Sequence, residues 1–266
     1  MNIDKGCLCV RAPLFFIDDV MRAMIFAAGL GTRLKPLTDS MPKALVPVSG
    51  RPLLEYTLHK LIQSGCNEIV VNVYHFAPLI IDYLHTCPFM GCAVKISDER
   101  PLLLDTGGGL RAGLSLFDSS SEPILVHNVD ILSNVDLAKF YERNRHNSVT
   151  LLVSERKTSR YLLFNENNEL MGWTNMNTGE VKTPYADLDV NACRKYAFSG
   201  IHLISPSMGT LMNDFPNVFS IVDFYVAICD KVRICADVGM DLQLLDVGKL
   251  DALDAAESFV REYYDE

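Results

Sequence analysis

Apolar and polar residues alternate in blocks along the first half of the chain, and the block lengths predict strands and helices in turn. Short apolar runs predict buried strands at 23–28, 68–73, 93–97 and 123–127. Longer segments with an apolar stripe predict helices at 52–63 and 76–85, a helix from Leu110 onward, and a helix at 135–144. Strands separated by helices favour an α/β fold, in which a mixed, mostly parallel sheet carries helices on both faces.

The pattern changes after residue 148. Shorter strands are predicted at 149–153, 161–164, 169–173 and 196–204, followed by a helix at 221–229, a strand at 243–247 and a closing helix at 249–263. We therefore expect a small α+β lobe, and divide the chain into an N-terminal extension at 1–21 and one domain at 22–266, with halves at 22–148 and 149–266.

The N-terminal extension contains one apolar run, at 14–17, which is too short for the core of a signal peptide. We expect either a native start at Met21 or a loose accessory arm. An extra edge strand or helix is the alternative.

Bulk composition narrows the function classes. A hydrophobic content of 49% in 266 residues is ample for one large domain. Eight cysteines occur without a C-x-x-C pair, which argues against a zinc ribbon and favours a reducing, cytoplasmic location. No apolar run approaches the length of a membrane helix, so we expect no membrane partner.

A glycine-containing loop follows the first predicted strand and is accompanied by cations. Gly29 and Gly31 come directly after the strand, and Arg33 and Lys43 follow. Glycines let backbone N–H groups wrap closely around a phosphate. The chain has a net charge of -9, yet residues 22–60 sum to +4. A local cation cluster in an acidic protein indicates a triphosphate-like ligand and argues against nucleic acid, which needs a broad basic face.

Two familiar phosphate-binding motifs do not fit this loop. A P-loop needs Lys-Ser or Lys-Thr after the glycines, but Gly31 is followed by Thr32 and Arg33. A dinucleotide fingerprint needs a third glycine where Leu34 stands, which argues against an oxidoreductase. An ordinary glycine-rich turn is the remaining alternative.

Two aspartates stand near the ends of predicted strands. Asp130 follows the strand at 123–127, and Asp246 lies in the strand at 243–247. Because ligands bind at the carboxyl ends of parallel strands, and Mg²⁺ prefers one or two carboxylates plus substrate phosphates, we expect these residues to hold Mg²⁺. The alternative is that each aspartate caps the next helix. The triplet Gly107-Gly-Gly109 either lets a flat base lie against the backbone or forms a flexible helix cap.

These segments together resemble the sugar-1-phosphate nucleotidyltransferase family. The similarity covers roughly residues 22–262 and rests on these motifs, in order: Gly29-x-Gly31-Thr-Arg33-x-x-Pro36, Thr38, Pro42-Lys43, Pro47, Asp105-Thr-Gly-Gly108, Asn128-Val-Asp130, Phe198-Ser-Gly200 and Asp246-Val-Gly248. The chain looks most like the short members that act on N-acetylmuramate 1-phosphate or mannose 1-phosphate. The resemblance implies a Rossmann-like sheet, a nucleotide-binding first half and a sugar-binding second half.

The resemblance also implies a role for each matching residue. The triphosphate and the leaving pyrophosphate would contact Gly31, Thr32 and Arg33, while Lys43 would neutralise the α-phosphate; Arg33 and Lys43 would be catalytic. The other nucleotide-binding residues would be Ala28, Gly29, Asp105, Thr106, Gly107 and Gly108. The sugar phosphate would meet Asn128, Lys182 and Gly200.

The role of Lys182 comes from a departure from the family pattern. Many relatives carry Glu-Lys-Pro in the second lobe, and its lysine meets the sugar phosphate, but this chain has no such tripeptide. Lys182 is therefore the expected substitute, and a solvated hairpin lysine is the alternative.

The resulting prediction is an enzyme that transfers a nucleotidyl group from an NTP to a sugar 1-phosphate, giving an NDP-sugar and pyrophosphate. UTP with N-acetylmuramate 1-phosphate is favoured, and GTP with mannose 1-phosphate is the alternative. A choline-phosphate-type acceptor and a non-catalytic nucleotide-sugar-binding protein stay open. We expect a monomer or a small homo-oligomer.

Overall fold

A single sheet runs through both halves of the chain in the computed structural model, which describes residues 21–87, 91–239 and 241–264. Residues 1–20 of the predicted extension at 1–21 lie outside the described residues, and its last residue, Met21, begins the first strand. The strands are β1 Met21–Phe26, β2 Pro47–Val48, β3 Arg51–Pro52, β4 Cys66–Val73, β5 Ala93–Asp98, β6 Ile124–Asn128, β7 Ile131–Ser133, β8 Val149–Ser154, β9 Arg160–Phe164, β10 Leu170–Asn175, β11 Val181–Lys182, β12 Arg194–Ile204, β13 Ile234–Val238 and β14 Leu244–Asp246.

The α-helices lie between the strands of the first half and after β12 in the second. They are α1 Leu53–Gln63, α2 Ala77–Thr86, α3 Asp105–Leu114, α4 Leu137–Asn144, α5 Met208–Met212, α6 Ile221–Ile228 and α7 Leu253–Tyr263. Short 3₁₀-helices cover Thr32–Leu34, Leu37–Asp39, Lys43–Leu45 and Leu250–Ala252. No helix within the described ranges is long and apolar enough to cross a membrane.

The main sheet has the order β11-β10-β9-β12-β6-β1-β4-β5, and β8 pairs with β12 and with β13. Strands β6, β1, β4 and β5 are parallel neighbours. Strands β11, β10, β9 and β12 are antiparallel neighbours. The long strand β12 joins the halves, because its end pairs with β6 and its start with β9. The predicted mixed α/β sheet with helices on both faces is confirmed.

The period-two alternation of β1 divides the core into two layers. Ala23 and Ile25 face a cluster that includes side chains of α1, α2 and α4. Met24 and Phe26 face a second cluster with α3, α5 and α6. A third cluster holds α7 against the β2–β3 hairpin and includes Leu34, which is fully buried. Helix α7 therefore supports the glycine loop through this cluster, because Leu34 lies directly after that loop.

The largest departure from the predicted elements is the start of α3. The glycine triplet predicts a loop before Leu110, whereas the helix begins at Asp105. A Cβ atom at Gly107 would lie 2.3 Å from the Phe219 ring, and one at Gly108 would lie 2.3 Å from the Asn217 carbonyl oxygen. Glycine is thus required for the close approach of the 217–219 segment, and tertiary packing outweighs the poor helix propensity of the triplet.

Candidate active site

The glycine loop turns sharply at Gly31, whose φ of 64° lies in the left-handed region. Its carbonyl oxygen accepts hydrogen bonds from Leu34 N and from Thr38 Oγ1, both at 2.8 Å. Within the described part of the chain, none of the backbone N–H groups of residues 29–33 donates to another residue. Five consecutive free N–H groups in an exposed loop are suited to binding phosphate oxygens.

A carboxylate-rich cluster lies next to this loop. Strands β7 and β14 pair Ile131 with Asp246, and Val247 N donates to Asp130 O at 2.8 Å, so the two predicted aspartates are neighbours. The Lys43 ammonium forms an ion pair with Asp130 Oδ2. This pairing brings together segments that lie far apart in the chain.

Gly248 keeps the centre of this cluster open. A Cβ atom there would lie 2.6 Å from Asp246 Oδ1, 2.7 Å from Arg33 Nη2 and 3.2 Å from Asp130 Oδ2. The two carboxylates and the guanidinium therefore converge on the same point. Partial burial and the negative charge of Asp130 raise the pKa of Asp246, although Lys43 and Arg33 oppose the shift.

The donor set of this cluster fits a divalent cation that also binds a substrate. The described residues contain no group of three or more His, Cys, Asp or Glu side chains that could hold a metal alone. Two carboxylates are present, and Mg²⁺ commonly uses one or two carboxylates together with substrate phosphates and water. Burial and, after it, the negative charge of Asp130 raise the pKa of Asp246, and a bound cation would oppose both effects.

A cavity of about 560 Å³ opens beside the loop and the cluster. Most of the predicted site residues line it: Ala28, Gly29, Arg33, Lys43, Asp105, Thr106, Asn128, Asp130, Gly200 and Asp246. Gly200 has a φ of 80°, and a Cβ atom there would lie 2.7 Å from Asn128 Nδ2. The Asn128 side chain is therefore held against a position that only glycine fills easily.

Other predicted residues lie outside this lining. Gly31 forms the left-handed turn of the loop and packs closely against Thr38, and Thr32 is exposed beside it. Gly107 and Gly108 are buried, and their N–H groups donate to Phe219 O at 2.8 and 3.3 Å. The glycine triplet thus contacts a loop of the second half, while Asp105 and Thr106 at the helix start face the cavity.

One polar network in the cavity was not predicted. Asn72, at the end of β4, accepts a hydrogen bond from Ala27 N at 2.7 Å and donates to Glu99 Oε1 at 2.7 Å. Glu99 Oε2 accepts from Leu104 N at 2.9 Å, and burial raises the pKa of Glu99. The sequence gives one indication of this network: both residues stand at the carboxyl ends of parallel strands.

A second, larger cavity of about 1190 Å³ lies next to the first. It shares four lining residues with the first cavity: Arg33, Arg156, Phe198 and Asp246. We call these four residues the junction. The rest of its lining comes from β9, β10, β11 and the residue before it, the segment before β9, the start of α6, and Lys249 after β14.

Lys182, which was predicted to bind the sugar phosphate, and Arg156 differ in their surroundings. Lys182 lines the second cavity and not the first, and its ammonium lies 2.8 Å from Asp223 and 4.0 Å from Glu180. Arg156 lies at the junction, where its Nη2 donates to Phe198 O at 3.0 Å. Among the described residues, no carboxylate forms an ion pair with Arg156, so its charge is available to a ligand. Sequence reasoning missed Arg156, although the basic pair 156–157 directly after β8 is a visible signal.

The comparisons with known proteins agree with this geometry. The family model described as nucleotidyl transferase matches residues 22–162. The chain is 31% identical over 253 residues to N-acetylmuramate alpha-1-phosphate uridylyltransferase of Caulobacter vibrioides, covering 90% of this chain and 97% of that one. It is 28% identical to the mannose-1-phosphate guanylyltransferase catalytic subunit beta of Drosophila pseudoobscura pseudoobscura, over 74% of this chain and 51% of that one.

A solved structure also has the same fold. UDP-glucose pyrophosphorylase from Acinetobacter baumanii superposes with a TM-score of 0.75 at 17% identity, covering 93% of this chain and 95% of that chain. The matched region of the family model contains the glycine loop, Lys43, the α3 start and Asp130. The family match, the long alignment to a relative and the converging site together lead to one conclusion: this chain belongs to the nucleotidyl transferase family of enzymes.

Proposed function

We propose that the protein transfers a nucleotidyl group from a nucleoside triphosphate to a sugar 1-phosphate, releasing pyrophosphate. The observation that carries the proposal is the junction between two cavities, where Arg33, Arg156 and Asp246 are shared. One cavity borders the free amides of the glycine loop, which suit a triphosphate. The other is polar and large enough for a sugar. The reacting phosphates would therefore meet at the junction.

The chemical obstacle is repulsion between two polyanions. Two unit charges about 4 Å apart repel by roughly 4 kcal/mol at the effective dielectric near a protein surface. Lys43 and Arg33 would neutralise the α-phosphate and the leaving pyrophosphate, and the acceptor oxygen would attack the α-phosphorus in line. The Lys43 ammonium already lies against Asp130, so it is held in place before substrate arrives.

Mg²⁺ is part of the proposal, held by Asp130 and Asp246 together with substrate phosphates. Members of this family generally use a divalent metal. When bound, the ion would supply positive charge to the phosphates. Asp130 and Asp246 would hold the ion, and Lys43, which pairs with Asp130, would add a second positive charge beside it.

The base and ribose are proposed to lie between Gly29 and the start of α3, where Asp105 and Thr106 face the cavity. The Asn72–Glu99 network borders the same space and offers polar atoms to a base edge. The sugar phosphate is assigned to Arg156 in place of the predicted Lys182, because Lys182 is already neutralised by Asp223 and Glu180.

UTP and N-acetylmuramate 1-phosphate are the proposed pair. Support comes from the relative named as N-acetylmuramate alpha-1-phosphate uridylyltransferase, which aligns over nearly its whole length. GTP with mannose 1-phosphate is the second candidate, since a mannose-1-phosphate guanylyltransferase subunit also aligns. A reducing, cytoplasmic compartment is included in the proposal, and the six cysteines among the described residues are free thiols.

The decisive experiment measures pyrophosphate release from the full chain with Mg²⁺, each of the four nucleoside triphosphates, and a panel of sugar 1-phosphates. The panel contains the N-acetylmuramate, mannose, glucose and N-acetylglucosamine derivatives. We expect release that depends on UTP, on N-acetylmuramate 1-phosphate and on Mg²⁺. Release with another pair would keep the reaction class and replace the substrates.

A matched pair of variants tests whether the site described here is responsible. Asp246→Asn should abolish most of the release and weaken its dependence on Mg²⁺. Asp254→Asn, an equivalent change at the exposed start of α7, should leave both unchanged. A folded wild-type protein that releases no pyrophosphate with any pair would overturn the proposed function.

A further inference from the structure

The second cavity contains a surface of alternating side chains from three antiparallel strands. The register pairs Arg160 with Asn175, Leu162 with Trp173, and Trp173 with Lys182. Side chains of paired residues lie on the same face of a sheet, so these five residues share one face. All five line the second cavity. We call this surface the acceptor face.

Trp173 lies in the middle of the acceptor face and is half-buried. The Lys182 ammonium lies 5.3 Å from the centroid of its ring. The exposed part of the indole offers a flat apolar surface, which suits the C–H face of a pyranose ring. An indole at the centre of a polar cavity therefore fixes where a sugar ring can rest.

The charge of the second cavity exceeds what one sugar phosphate needs. Its lining includes six cationic side chains and three carboxylates: Arg33, Arg156, Lys157, Arg160, Lys182 and Lys249 against Glu180, Asp223 and Asp246. Lys182 is balanced by Asp223 and Glu180, and Arg33 lies beside Asp246. Within the described ranges, Arg160 and Lys157 form no ion pair with any carboxylate.

Position separates Arg160 from the phosphate-binding groups. Arg33 and Arg156 line both cavities, whereas Arg160 lines only the second. Arg160 is therefore not one of the junction residues, and it lies on the acceptor face with Trp173. A guanidinium there can bind a carboxylate with two parallel hydrogen bonds.

We propose that the acceptor face is a second anion site, in which Arg160 binds a carboxylate carried by the sugar while the ring rests on Trp173. The protein would thus select acidic sugar 1-phosphates over neutral ones. This inference rests on the proposed function and deepens it. Lys157 lines the same cavity and adds attraction for the carboxylate. Because neither Arg160 nor Lys157 is paired with a carboxylate of the described residues, no ion pair must break before the sugar binds.

The test compares two acceptors that differ in the lactyl ether, which carries the carboxylate. N-acetylmuramate 1-phosphate has this group, and N-acetylglucosamine 1-phosphate lacks it. Two readouts are used, kcat/KM for pyrophosphate release and the fluorescence of Trp173, the only tryptophan in the chain. In the wild-type protein, the acidic acceptor should bind more tightly and change the fluorescence more.

Arg160→Gln should lower kcat/KM for the acidic acceptor by about 10- to 100-fold, the loss expected for a charge-assisted hydrogen bond, and change the neutral acceptor less than about 3-fold. Arg194→Gln is the matched control, because Arg194 is an exposed arginine of the same lobe that lines neither cavity and donates to Asn168. It should leave both acceptors unaffected.

Three outcomes would overturn the inference. They are an equal loss for both acceptors in Arg160→Gln, no loss for either, and wild-type fluorescence that does not distinguish the acceptors. Failure of the proposed function is a different result, in which pyrophosphate release is absent with every pair. In that case the fluorescence titration still tests the second anion site, because selective binding of the acidic acceptor that is lost in Arg160→Gln supports it.

Discussion

The two cavities are built in opposite ways. The first cavity is lined largely by loops that follow parallel strands, so several of its residues are consecutive in sequence, as in the glycine loop. The second is lined partly by the continuous segment 156–160 and partly by one face of antiparallel strands, whose residues alternate and come from separate hairpin segments. Sequence motifs reveal the first kind of site. Only register and pairing reveal the second.

The same contrast explains how the cations are held. In the first cavity Lys43 is paired with Asp130, and both side chains are mostly buried. A substrate phosphate would therefore bind beside charges that are already paired. Arg156 and Arg160 of the second cavity have no carboxylate partner among the described residues. This difference supports the proposed nucleotide site in the first cavity and the proposed acceptor site in the second, and the predictions below test each proposal.

The largest expected effect is on Lys43. Lys43→Ala should lower kcat/KM by about 10²- to 10³-fold, because it removes a positioned charge at the developing anion. Steady-state pyrophosphate release measures the loss. Lys35→Ala, a change in the same loop at an exposed lysine paired with Asp39, is the control and should stay near wild-type activity. Near-normal turnover in Lys43→Ala would remove it from the site.

The next effect compares Arg156 with Lys182, two of the cations that line the second cavity. Arg156→Gln should raise the KM for the sugar 1-phosphate by roughly 10- to 100-fold and leave the KM for the NTP nearly unchanged, because it removes an unpaired charge at the junction. Lys182→Gln should change either KM by less than about 3-fold, since that lysine is already neutralised. A larger effect at Lys182 than at Arg156 would reverse the assignment.

A third prediction concerns β12, the strand shared by both halves. His202 is fully buried there, its ring nitrogens have no hydrogen-bond partner among the described residues, and burial lowers its pKa to about 3. The unfolded chain takes up this proton near pH 6.5 and the folded chain does not, so stability falls as the pH decreases below 6.5. At pH 5 the loss should be about 2 kcal/mol from this residue.

Urea titrations at pH 7 and pH 5 measure that loss. His202→Met, which keeps an apolar side chain of similar volume, should lose about 2 kcal/mol less than the wild type between the two pH values. An identical loss in both proteins would show that another group is responsible. His127, whose burial lowers its pKa to about 4, adds a similar slope to both proteins and cancels in the comparison.

The smallest effect separates two glycines of the same loop. Gly31→Ala should destabilise the fold by about 1–2 kcal/mol, the cost of a left-handed residue with a side chain, and its Cβ would lie 2.8 Å from Thr38 Cγ2. Gly29 has nothing within 4 Å of its Cβ position, so Gly29→Ala should change stability by less than about 0.5 kcal/mol. Denaturant unfolding measures both, and equal values would contradict the special geometry of Gly31.

Much of the first half was predictable from the sequence because its strands are continuous apolar runs and its site residues follow their ends. The glycine loop, Lys43, Asp130 and Asp246 meet as predicted. The helical start at Asp105 was not predictable, because it depends on Phe219 and Asn217, which lie more than a hundred residues away. The Asn72–Glu99 network lacks a motif for the same reason.

The sequence by itself determined the class of fold, and it predicted the glycine loop and the two aspartates at strand ends, because each depends on local periodicity or on residues that follow a strand end. Only the tertiary structure decided which of two cations, Lys182 or Arg156, is paired with a carboxylate. Lys182 was predicted as the substitute for the lysine of the missing Glu-Lys-Pro tripeptide, yet its ammonium pairs with Asp223 on a distant helix. Arg156 lies at the junction and, among the described residues, pairs with no carboxylate. Charge balance at a site depends on distances in space, which local sequence patterns do not contain.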